Sequence, residues 1–208
     1  MPREKETTVV LMKIPDGIGR PLRNAERAKQ IAAGSEKVRS EKYWVFRLLE
    51  EAAEQLWDAP VDQAHRSACG RWEASGISFS LSHSGPYVAV ALGRETVGVD
   101  VQSLAVHPSE RLIARSLNGA EAALIAGLDG EERKRAFLRI FSCKESLFKT
   151  RGEPVFHPEI IDSTAGGVSE IAAFGLSDAL VTLAHEGGAI LCYRAESEND
   201  RIILKKID

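Results

Sequence analysis

The sequence has no excess of charge of one sign: 27 Lys plus Arg stand against 30 Asp plus Glu, a formal charge of −3. Chains that bind a polyanion usually carry a basic excess, so nothing here points to nucleic acid. Cysteine is scarce. Cys69, Cys143 and Cys192 are odd in number and far apart, giving neither a disulfide framework nor metal-ligand spacing. They read as thiols in a reducing cytosol. Long apolar runs are lacking too: the charged opening is followed only by Val9 to Met12, too short for a signal peptide or a membrane span. The expectation is a soluble, cytoplasmic protein with neither nucleic acid nor membrane as partner.

What is present is the composition of a folded globule, 44% hydrophobic and 27% charged residues over 208 positions. Thr7 to Ile14 is rich in β-branched residues and ends at Pro15-Asp16-Gly17, the pattern of a strand and a turn. Stretches 22–33 and 36–56 repeat apolar positions at helical spacing, with Ser35 placed to cap the second. Ile77 to Ser82 alternates apolar and polar residues, Gly85-Pro86 turns, and Tyr87 to Leu92 is a further strand.

The same order of elements then recurs. A strand is expected at Thr96 to Gln102, helices at about 108–127 and 130–150, and strands at Leu180 to His185 and Ala189 to Tyr193. A long loop rich in Pro, Gly, Ser and Thr, broken by short strand pieces, fills Arg151 to Ser177, and a last strand covers Arg201 to Lys205. The expected class is α+β, built from two similar β-α-α-β-β subdomains, residues 1–95 and 96–208, with a cleft between them.

Two segments break the pattern of their own element. In the strand Thr96 to Gln102 the valines share one face, and Gly98, Asp100 and Gln102 the other, with Asp100 and Gln102 about 7 Å apart. That polar face suits a cation or is simply solvated. In Ala136 to Lys149 the stripe of Phe137, Ile140, Phe141 and Phe148 is interrupted by Lys144 and Glu145. A charge pair turned towards packing needs a partner, a metal or a ligand. An exposed Glu145–Lys149 pair at i, i+4 accounts for Lys149 but not for Lys144. Magnesium prefers oxygen ligands and often takes one or two carboxylates, so Asp100 and Glu145 would suffice if helix and strand meet. A third feature is His83, at a strand end within Leu81-Ser82-His83-Ser84-Gly85-Pro86. Adjacent Ser82 and His83 point apart on a strand, and no Gly-x-Ser-x-Gly turn surrounds them, which argues against a serine hydrolase.

Taken in order, Phe79 to Ser84, Val97 to Gln102 and Phe141 to Lys149 resemble the SHS, G(V/I)D(V/I)E and (W/F)xxKE(A/S)xxK motifs of the phosphopantetheinyl transferase superfamily. The length resembles that of its surfactin-synthetase-activating branch. The resemblance implies a fold of two similar halves with the active site between them. It also implies a reaction that moves the 4'-phosphopantetheine arm of coenzyme A onto a serine of an acyl or peptidyl carrier protein. By resemblance, Asp100, Gln102 and Glu145 would hold magnesium, and Lys144 and Lys149 would approach the pyrophosphate. Ser82 and His83 would meet the nucleotide 3'-phosphate region. Arg71 sits where Gly-Lys is common in the family and would also bind coenzyme A, with Arg27 and Lys29 as further basic candidates. Glu145 would be the general base. A monomer is the simplest assembly.

Gln102 departs from the family pattern, which has a second acidic residue there. An amide keeps a carbonyl oxygen for a metal but cannot take a proton. The departure leaves open a non-catalytic paralogue that binds coenzyme A or a carrier protein. A magnesium-dependent phosphohydrolase using Asp100 and Glu145 is a further alternative, without the dense carboxylate cluster that two-metal hydrolysis wants. Arg111, Arg115, Arg133, Lys134, Arg135 and Arg139 could form a basic face for an acidic carrier or a solvated helix surface.

Overall fold

The computed structural model describes residues 6–17, 19–67 and 71–207. Cys69 and Gly70 lie outside them. In chain order the elements are β1 Glu6–Lys13, α1 Ala25–Ala32, α2 Glu36–Ala52, β2 His65–Arg66, β3 Trp72–Ala74, β4 Ile77–Ser84 and β5 Tyr87–Gly93. There follow β6 Gly98–Ser103, α3 Glu110–Ser116, α4 Gly119–Ile125, α5 Gly130–Arg151, β7 Val168–Glu170, β8 Ala179–Ala184, β9 Ala189–Glu198 and β10 Arg201–Ile207. The class is mixed α+β. Among the described residues no helix is long and apolar enough to cross a membrane.

Seven strands form one sheet in the order β10-β9-β1-β5-β4-β3-β2, and three form another in the order β6-β8-β7. β1 is buried on both faces: Val10 and Met12 join the core under α2, and Val9 and Leu11 join the core between the sheets. Val97, Val99 and Val101 enter that second core from β6. A third core, with Phe137 and Leu138 of α5, Ile113, Ile125 and Leu180, closes the far side of the small sheet. The layers therefore run helix, large sheet, small sheet, helix.

The C-terminal hairpin does not stay with the second half. β9 pairs parallel with β1, Val9 opposite Cys192, while β5 takes the other edge antiparallel. A strand apolar on both faces is stable only where both its edges are paired, and β9 supplies the second.

Helix limits differ from expectation where caps decide them. Asn24 caps α1 by accepting from the Arg27 N–H, and Ser35 stands at the start of α2 without a side-chain capping bond. The expected helix over 108–127 is two helices, because Asn118 and Glu121 form a capping box that starts α4 afresh.

Candidate active site

The β6 strand has one edge on β8, and its other N–H groups meet hydroxyls. Ser80, Ser82 and Ser84 of β4 accept from the backbone of Val99, Val101 and Ser103 at 3.0, 3.2 and 3.0 Å. Alternation along β4 aims these serines at β6, so side chains join the two sheets where backbone pairing does not.

On the other face of β6, α5 lies against the bare backbone of Gly98. A Cβ added there would stand 2.0 Å from the Ser146 carbonyl oxygen. This close approach brings one face of α5, Ser142, Glu145, Ser146 and Lys149, over Asp100.

Asp100 is buried and surrounded by donors. Its Oδ1 accepts from Ser82 Oγ at 2.7 Å and Lys149 Nζ at 2.9 Å. Its Oδ2 accepts from Ser142 Oγ at 2.8 Å and Gln102 Nε2 at 2.9 Å. Burial alone would raise its proton affinity, but the Lys149 ammonium and these donors hold the carboxyl below its ordinary range. Glu145 shares a hydrogen bond with it, and burial together with the Asp100 charge pushes the Glu145 carboxyl up to about 8. Lys149 also donates to the Val99 carbonyl at 2.8 Å and stands 4.0 Å from Glu145.

Two neighbouring carboxyls shut away from water repel when both are ionised, a charge that a divalent cation can neutralise, and magnesium completes a shell of one or two carboxylates with water and phosphate. The donor set fits on that ground. Among the described residues no group of three or more His, Cys, Asp or Glu side chains converges to hold a metal. The Gln102 nitrogen is on Asp100, so only its Oε1 remains for a cation.

The structure does not bring Lys144 to this cleft. One step along α5 from Glu145 turns its side chain about 100° away. There it is fully buried, with Nζ 2.5 Å from Glu121, 2.8 Å from the Ser116 carbonyl and 2.7 Å from the Pro158 carbonyl. All three ammonium hydrogens have acceptors, so Lys144 is a structural cation that ties α3, α4 and the 158 turn to α5. Ser82 is likewise corrected from ligand contact to support of Asp100, since its hydroxyl is buried and engaged on both sides.

His83 points the other way from Ser82, as strand alternation requires, and its Nδ1 is 3.4 Å from Glu41 of α2. Burial lowers its proton affinity, Glu41 opposes this, and Lys149 and Lys42 reinforce it. Arg71 donates to Thr96 Oγ1 at 3.2 Å and lines a cavity of about 210 Å³ with Arg66, Trp72, Phe79, Phe148 and Lys149. Arg66 and Trp72 also wall a second space of about 680 Å³, shared with Arg27 and Gln30. The Arg27 and Arg66 guanidiniums stand 5.2 and 5.1 Å from the Trp72 ring centre. Burial and Arg66 lower the proton affinity of Arg27, and its Nε has no hydrogen-bond partner. Lys29 is exposed on α1.

Sequence reading missed Arg66, which carries no local signal. It also gave no role to Ser142 and Thr182, although Thr182 is the lone polar residue in Ala179–Ala184. Of the basic side chains named for a partner, Arg133 pairs with Glu110, Lys134 with Glu131 and Arg139 with Glu170. Arg111, Arg115 and Arg135 are exposed.

Residues 96–188 match the family model of the 4'-phosphopantetheinyl transferase superfamily. The chain is 30% identical over 94 residues to "4'-phosphopantetheinyl transferase HetI" of Nostoc sp., covering 44% of this chain and 40% of that protein. It is 30% identical over 79 residues to "Putative 4'-phosphopantetheinyl transferase slr0495" of Synechocystis sp., covering 37% and 32%. The matched stretches thus span less than half of either relative. The resemblance to the 4'-phosphopantetheinyl transferase superfamily is therefore established for the stretch that supplies the carboxyl pair and Lys149, residues 96–188.

Proposed function

We propose that this protein transfers the 4'-phosphopantetheine group of coenzyme A to a serine of an acyl or peptidyl carrier protein, releasing adenosine 3',5'-bisphosphate. The observation that carries the reading is the buried Asp100–Glu145 carboxyl pair with Lys149 beside it, Lys149 also lining the cavity walled by Arg66, Arg71 and Trp72. One part, residues 1–95, contributes the arginines and the tryptophan to that cavity; the other, 96–208, contributes Lys149. The cavities suit a nucleotide coenzyme, with an aromatic face for the base and guanidiniums for phosphate.

Asp100 and Glu145, with Gln102 Oε1, would hold magnesium, which when bound supplies positive charge to the pyrophosphate. The carrier serine Oγ forms a bond to the phosphorus next to pantetheine, and the bond from that phosphorus to the anhydride oxygen breaks, the oxygen leaving on the adenosine-side phosphate. Glu145, ionised where a bound cation displaces its proton, would take the serine proton. Lys149 Nζ faces the charge that develops on the departing phosphate, a fixed donor that needs no reorganisation. The exposed Arg111, Arg115 and Arg135 offer positive charge to an acidic carrier. We place the activity in the cytoplasm, with a monomer as the working unit.

Purified protein with coenzyme A, magnesium and a panel of apo carrier proteins, read by intact mass, tests this. A carrier that gains the phosphopantetheine mass supports it. Coenzyme A binding without transfer to any carrier overturns it in favour of a binding paralogue, the reading that Gln102 supports by donating to Asp100 where an acid is usual.

A further inference from the structure

A chain of three buried hydroxyls ends on Asp100. Ser142 Oγ donates to Asp100 Oδ2 at 2.8 Å and lies 2.8 Å from Thr182 Oγ1, which lies 2.7 Å from Ser146 Oγ. All three residues are 0% exposed. A carboxylate only accepts, so the Ser142 hydrogen is committed to Asp100, and between the two hydroxyls Thr182 must be the donor. The Thr182 hydroxyl also lies 3.0 Å from the Ser142 carbonyl, so its hydrogen goes to residue 142 in either case. Ser146 in turn donates to Thr182, at its hydroxyl or at its carbonyl 3.1 Å away. The donations run one way, from Ser146 to Thr182 to residue 142 and from Ser142 to Asp100, and where a hydroxyl accepts, each strengthens the next.

The placement is specific. Ser142 and Ser146 are one turn apart on α5, and Thr182 stands directly opposite Asp100 in the pairing of β6 with β8. Nearby residues of the same two elements, Phe137, Leu138, Leu180 and Leu183, are apolar and buried. A hydroxyl buried in such a helix–sheet contact gives little stability even when bonded, and a valine would fill the position of Thr182 with the same shape. Stability alone does not call for three of them in a row.

We infer that Ser142 and Thr182 are positioning residues that fix the plane of the Asp100 carboxylate against α5, so that it stays addressed to Glu145. Ser142 holds Oδ2 from the helix, Ser82 holds Oδ1 from the large sheet, and Thr182 orients Ser142 from the small one. The inference rests on the reading of Asp100 and Glu145 as a divalent-cation pair.

The test is Mn2+ binding to the whole protein, with inorganic pyrophosphate present, followed by electron paramagnetic resonance alongside thermal melting. Ser142→Ala is expected to weaken Mn2+ binding about 10-fold or more, the usual effect of losing a support of a metal ligand. Thr182→Val, which keeps the shape, is expected to melt like the wild type yet bind Mn2+ a few-fold more weakly. Thr182→Ser, which keeps the hydroxyl, is expected to melt lower yet recover the binding. If binding instead follows melting, with Val intact and Ser impaired, the residues only pack and the inference falls while the functional reading stands. A wild-type protein that binds no Mn2+ overturns the functional reading and this inference with it.

Discussion

Gly98 and Ser146 touch backbone to backbone, with the position of a Gly98 Cβ only 2.0 Å from the Ser146 carbonyl oxygen. That contact sets the height of α5 above β6, and with it the meeting of Glu145 and Asp100. Gly98→Ala must push the helix away. We expect a loss of about 2–3 kcal/mol in urea unfolding, at the upper end of overpacking costs, and loss of transfer even where the fold survives. Wild-type activity in a folded Gly98→Ala variant would show that the helix height does not matter.

The proton on Glu145 links folding to pH. Its ordinary pKa is 4.5 and it is pushed up to about 8 in the fold, so between these values the folded chain holds a proton that the unfolded chain has lost. Folding therefore weakens as pH rises through this window, and the loss is complete above the folded value. In chelator, melting temperature should fall between pH 6 and 9 for the wild type and be flatter for Glu145→Gln. Identical slopes would show that Glu145 is not the group that titrates in this window. Glu145→Ala should also abolish transfer while leaving the circular dichroism spectrum unchanged.

Lys144 holds the buried Glu121 carboxylate at 2.5 Å. Lys144→Met leaves that charge without its partner and should cost about 3–5 kcal/mol. The double variant Lys144→Met with Glu121→Gln should regain much of this in urea unfolding. A role in phosphate binding would predict the reverse, a stable single variant that fails to bind coenzyme A in calorimetry.

Gln102→Glu replaces a donor to Asp100 with a third carboxyl group beside two others. Without divalent ions the variant should melt lower than the wild type, and magnesium should raise its melting temperature by more. Transfer should be similar or higher with a steeper magnesium dependence. Complete loss of activity would show that the amide is required.

The alternation of Val97, Val99 and Val101 with Gly98, Asp100 and Gln102 was legible in the sequence, because strand periodicity fixes which residues share a face. The α5 stripe was legible for the same reason, and it flagged Lys144 and Glu145 together as charges in need of partners. Periodicity could not separate them: neighbours on a helix diverge by about 100°, and their partners, Glu121 and Asp100, come from different elements. The motif resemblance assigned both to one site, and the packing sent only Glu145 there.

What the sequence by itself determined is therefore local: which segments are strands and helices, which faces are apolar, and that Asp100 and Glu145 break their faces. What only the tertiary structure decided is the set of long-range meetings. β9 crosses back to β1 because a strand apolar on both faces needs both edges paired. The Ser142–Thr182–Ser146 hydroxyls converge on Asp100 because a bare Gly98 lets α5 come close enough. No pattern along the chain encodes the distance between a helix and a strand; it is set by the side chains and backbone that lie between them.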